Sequence, residues 1–124
     1  MEASLKLKEI SYIHSEAYAA GELKHGTISL VEKDTPVISI ITDEDVKLKT
    51  LSNVKEVCAR GAVSVIISNE DIQDKDIYDK LIIVPKVSDL IGSVLVIIKC
   101  QLIAYYVAKL NGCDIDKPKN LAKS

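Results

Sequence analysis

Apolar residues recur along this chain with two different periods. From Ala3 to Ala20, Leu7, Ile10, Ile13 and Ala17 share one helical stripe while Lys6, Lys8, Glu9 and Glu16 lie off it. That spacing predicts an amphipathic helix, with Gly21 as its stop and a short polar link, Glu22-Leu23-Lys24-His25-Gly26, after it. Thr35-Pro36 opens a strand from Val37 to Ile41, with proline at the first position, where its missing N–H does least harm. Thr42-Asp43-Glu44-Asp45 reads as a helix cap with acid in the first turn, and the helix runs to about Arg60 before Gly61. A second strand covers Val63 to Ile67. After a polar stretch, Asn69 to Lys80, a third covers Leu81 to Val84 and is closed by Pro85. A long helical region from about Val87 to Asn111 ends at Gly112, and a polar tail runs to Ser124.

The strands are β-branched and apolar on both sides, the pattern of a parallel sheet covered on both faces. Strand–helix–strand order then predicts an α/β fold, a three-layer, doubly wound parallel sheet. Three strands are few for such a sheet, and the chain starts inside a helix, so a first strand is expected to be missing and the chain to be a fragment. A length of 124 residues sets the expectation of one domain with a real core.

Composition narrows the partners. The 16 Lys and Arg nearly balance the 18 Asp and Glu, and aromatic residues make up 4% of the chain, so no basic patch interleaved with aromatics points to nucleic acid. Cys58, Cys100 and Cys113 are widely spaced, which argues against zinc and disulfides and for a reducing, cytoplasmic compartment. Cys58 and Cys100 are expected in the core. The most apolar stretch, Val94 to Leu110, contains Lys99, Gln101 and Lys109 and is expected to be a buried helix rather than a membrane span.

Taken singly, the chemical signals are slight. The five glycines form no phosphate-binding loop, and there is no GxSxG, HExxH or paired-carboxylate signature. Lys6 and Glu9, at i and i+3, read first as a surface ion pair worth about a few tenths of a kcal/mol. His25 in its loop is as readily a bystander as an acid–base group. Lys123 by composition belongs to a frayed terminus.

Together they sit in two long stretches of a distinctive kind. The run Leu5-Lys6-Leu7-Lys8-Glu9-Ile10-Ser11-Tyr12-Ile13-His14-Ser15-Glu16-Ala17-Tyr18, then Gly21-Glu22-Leu23-Lys24-His25-Gly26, resembles the second sugar-isomerase (SIS) domain of the glucosamine-6-phosphate synthases. So do Gln101-Leu102-Ile103-Ala104-Tyr105 and the ending Asp114-Ile115-Asp116-Lys117-Pro118-Lys119-Asn120-Leu121-Ala122-Lys123-Ser124. The resemblance implies a flavodoxin-like topology and, for the whole enzyme, conversion of fructose 6-phosphate and glutamine to glucosamine 6-phosphate without a cofactor. By position, Glu9 matches the base that shuttles a proton between C1 and C2 of the open-chain sugar. His25 matches the histidine that helps open the ring, contributed by the neighbouring subunit of a homodimer. Lys123 matches the lysine that forms a Schiff base with the sugar carbonyl, and residues 113–124 are the tail that carries it. Lys6 and Ala122 fall at substrate-binding positions. The implied partners are the sugar phosphate, a first SIS domain with its phosphate loop, and a glutaminase domain.

Thr27 stands where the family usually has proline, as does Lys99, and Tyr106 replaces a usual histidine. None of these removes a proposed catalytic group. With no phosphate loop in the sequence, the isolated chain is expected to bind sugar poorly and to be inactive. Two alternatives stand beside the enzyme reading: a non-catalytic sugar-phosphate-binding or regulatory module, and a structural domain that dimerises through its helices.

Overall fold

The computed structural model describes residues 1–119. In chain order the elements are α1 (Glu2–Ser11), β1 (Pro36–Ile41), α2 (Glu44–Ala59), β2 (Val63–Ser68), β3 (Lys80–Ile83) and α3 (Asp89–Leu110). Short 3-10 turns lie at Ala20–Glu22, Thr27–Leu30 and Lys75–Ile77. The described chain divides into two compact units, one formed by Tyr18–Gly92 and the other by Met1–Ala17 together with residues 93–119.

In the first of these, β1, β2 and β3 pair in that order, all parallel, which bears out the α/β reading. The register sets Ser39 beside Ile66 and Ile66 beside Leu81, with Ile40, Ile67 and Ile82 in the next row. Because side chains alternate across a strand, Ile41, Ile66 and Leu81 share one face. They pack there with Leu51, Val54 and Cys58 of α2 and with Ile72, Ile77 and Tyr78. Asp79 ties the start of β3 to β2: its N–H donates to Ser64 O at 2.8 Å, and its carboxylate accepts from Ser64 N at 2.7 Å. Helix α2 begins as its sequence predicts, with the Asp43 carboxylate accepting from Asp45 N. Just past its end at Ala59 comes Gly61, whose φ of 85° suits glycine and whose Cα lies so near Lys33 that a Cβ would meet the Lys33 Cα at 3.3 Å. Cys58 is partly buried rather than fully so, its thiol donating to Ile77 O at 3.0 Å.

The first helix is shorter than its apolar stripe predicts. It stops at Ser11 rather than Ala20, because Tyr12 takes a left-handed conformation (φ 57°) and its N–H returns to Leu7 O. The serines explain the stop. Ser11 Oγ bonds back to Leu7 O, and Ser4 and Ser15 exchange bonds of 2.8 and 2.9 Å through hydroxyl and carbonyl, folding the chain back along α1. Such local side-chain bonds compete with the helix ladder.

Helix α3 departs from expectation too. It buries Val96, Cys100, Ala104 and Ala108, one row at i+4 spacing, while Leu90 (81% exposed), Ile91, Val94, Leu102, Tyr106 and Leu110 (86%) remain exposed. Hydropathy all round the helix, rather than on one stripe, outruns the single row that is covered. By length and composition alone it is long and apolar enough to cross a membrane. Burial pushes the Cys100 thiol pKa up, leaving it a core hydrophobe.

The core makes a direct prediction. Ile66→Ala, at a site with no exposed surface, should cost roughly 2–5 kcal/mol in urea unfolding. Ile40→Ala, at a side chain 46% exposed, should cost less than half of that.

Candidate functional site

On α1, the i,i+3 spacing brings Lys6 Nζ to 2.8 Å from Glu9 Oε2, with Glu2 Oε1 at 3.8 Å on the other side. The Glu9 hydrogen bond, against an opposing desolvation cost, raises the Lys6 pKa. Lys6 is therefore a fixed ammonium, unsuited to imine formation and suited to holding a carboxylate in place. One turn on, the Tyr12 hydroxyl accepts a 2.6 Å hydrogen bond from the backbone N–H of Lys119. The left-handed turn that ends α1 thus also fastens the chain four residues before Lys123. Tyr12 was not singled out by its sequence; a bulky residue with positive φ shows only in the backbone. Lys123 and Ala122 lie outside the described residues.

His25 belongs to the other compact unit. It is exposed, between the 3-10 turns Ala20–Glu22 and Thr27–Leu30, and its N–H donates to Glu22 O at 3.0 Å. Gly26 follows with φ 124°, a backbone state that side chains avoid. The loop is tied to α2: Asn53 Nδ2 donates to Ala20 O, and Lys24 pairs with Glu56. Of the sequence-predicted residues, then, the structure joins Lys6 to Glu9 within one unit and holds His25 on a supported loop of the other.

A third cluster lies at the carboxyl ends of the strands, where open α/β sheets commonly bind ligands. Lys47 pairs with Glu70 and, at 3.7 Å, with Glu44, and Lys86 lies 3.5 Å from Glu44. The Glu70 hydrogen bond raises the Lys47 pKa, and Lys47 in turn lowers that of Glu70. Cations and carboxylates are matched here, an arrangement that neutralises itself rather than awaiting a phosphate. Among the described residues, no group of three His, Cys, Asp or Glu could hold a metal ion.

The SIS domain family model covers residues 1–109. The chain belongs to the SIS domain family. As an SIS domain it is 54% identical, over its whole length, to a glutamine–fructose-6-phosphate aminotransferase (isomerizing) of Caldanaerobacter subterraneus. It is 52% identical to the enzyme of the same name from Bacillus subtilis. The solved C-terminal domain of glucosamine-fructose-6-phosphate aminotransferase from Francisella tularensis superposes with a TM-score of 0.84 at 38% identity, over 93% of this chain and 33% of that one. The SIS chain is thus homologous to the C-terminal domain of these enzymes, and it spans about a fifth (21% and 20%) of the two curated relatives.

Two titrations test the electrostatics. Glu9→Gln should bring the Lys6 pKa back toward 10.5, read from the lysine side-chain NMR shifts; an unchanged value would remove Glu9 as its main partner. Glu70→Gln should lower the thermal midpoint at neutral pH. Because the Glu70 pKa is depressed in the folded state, its stabilisation is present above 4.5 and is lost as pH falls through the lower folded value. The difference between the two proteins should therefore vanish at strongly acid pH.

Proposed function

We propose that this SIS domain is the isomerase part of a glutamine–fructose-6-phosphate aminotransferase, carrying the ketose-to-aldose step in the cytoplasm. Glu9 takes a proton from C1 of the open-chain sugar and returns it at C2. His25 moves the ring proton when the sugar opens, and Lys123 forms the imine that makes C1–H more acidic. The observation that carries this reading is the Lys6–Glu9 pair at 2.8 Å on a helix whose end, through Tyr12, holds the tail leading to Lys123. The Lys6 ammonium orients the Glu9 carboxylate, and the tail lysine supplies the separate amine that Lys6 cannot.

The reading requires partners: a first SIS domain to hold the sugar phosphate, a glutaminase domain to supply ammonia, and a second subunit to lend His25. The exposed apolar surface of α3 supports such partners, since patches of this kind are usually covered by other protein.

The test is an exchange. This chain replaces the C-terminal fifth of the Bacillus subtilis relative, and glucosamine 6-phosphate formation is measured. The chimera should turn over, and Glu9→Gln or Lys123→Ala should each lower kcat by about 100-fold or more. Full activity in either variant would remove that residue from the mechanism. Sugar binding without turnover in the unsubstituted chimera would favour a regulatory module.

A further inference from the structure

Helix α2 carries a second stripe that the sheet does not use. Lys49, Asn53 and Glu56 follow one another at i, i+4 and i+7, which places them on one helical face. All three meet the loop that bears His25. Lys49 Nζ lies against Gly21, where a Cβ would meet it at 3.2 Å. Asn53 Nδ2 donates to Ala20 O at 2.5 Å, and Glu56 pairs with Lys24, the residue before His25. Asn53 is the unusual member. It is 2% exposed in the interior of a helix, and its Oδ1 is buried with no hydrogen-bond partner among the described residues. A buried, half-satisfied amide is costly, and an apolar residue would fill the same space without that cost. The side-chain bond that Asn53 makes among the described residues is to the first residue of the turn Ala20–Glu22, whose last residue in turn accepts the His25 N–H.

We propose that Asn53 is a positioning residue that sets the backbone under His25, with the Lys24–Glu56 pair as a second, outer tie. The proposal rests on the reading of His25 as the ring-opening group. Asn53 touches no substrate; it fixes the turn from which His25 projects, so that the imidazole meets the sugar without first ordering its loop. The tie is rigid because α2 is itself held to the sheet through Leu51, Val54 and Cys58 on its other face.

Asn53→Leu, which removes the donor and the orphaned oxygen together, tests this in two settings. In the chain itself, amide exchange at His25 and Ile28 should quicken about tenfold or more, while Ile66 and Ile67 of β2 keep their protection. Exchange at His25 and Ile28 within twofold of the parent would overturn the proposal. Asn53→Asp, which keeps the shape and loses the donor, gives the same reading if the leucine variant fails to fold. In the Bacillus subtilis chimera, Asn53→Leu should lower kcat about tenfold with KM within twofold, and should add nothing when His25 is already Ala. An equal loss with and without His25 would overturn the positioning role. If His25→Ala leaves kcat unchanged, the ring-opening reading fails by itself, and faster exchange at His25 and Ile28 still upholds the anchoring by Asn53.

Discussion

Helix α2 must satisfy two unlike neighbours with a single 3.6-residue period. Its apolar row, Leu51, Val54 and Cys58, lies on the sheet face formed by Ile41, Ile66 and Leu81. Its polar row, Lys49, Asn53 and Glu56, meets the loop that carries His25. Neither row can shift without the other, since both ride on one rigid backbone. The buried strands therefore reach the exposed histidine through one intervening element, and the loop inherits its order from the core.

At α1 the governing contest is local. The apolar stripe favours continuing the helix past Ser11, but the hydroxyls of Ser4, Ser11 and Ser15 bind backbone carbonyls and turn the chain back. The outcome is a left-handed tyrosine, a conformation that costs energy for a bulky residue and survives only when its surroundings fix it. Here those surroundings include the bond from Lys119 to the Tyr12 hydroxyl. The turn that shortens α1 also gives Lys119 its fixed point, at a residue three positions past Glu9.

The sheet was legible from sequence because its signals agree with one another. Pro36 at the head of β1, Asp43 as a cap and Gly61 as a stop each act within a few residues, and the β-branched runs allow one register. The Lys6–Glu9 pair was legible for the same reason: i,i+3 spacing on a helix decides proximity. What could not be read depends on contacts distant in sequence. Asn53 meets Ala20 across 33 positions, and Lys119 meets Tyr12 across 107. The end of α1 was misjudged because periodicity counts apolar residues and ignores what serine hydroxyls do to a backbone. The burial of α3 was misjudged because uniform hydropathy shows that a helix wants cover, not that this chain supplies it.

The division of the chain has a temporal consequence. One compact unit is a continuous run, Tyr18–Gly92, whereas the other joins Met1–Ala17 to residues 93–119. During synthesis the continuous unit can close its parallel strands as soon as β3 emerges. The helix bearing Glu9 precedes that unit in sequence but must wait for α3 before its own unit can assemble, and closing so long a loop is entropically slow. The nascent chain would thus complete the platform for His25 before the surroundings of Glu9, whose helix stays without its packing partner until α3 has emerged.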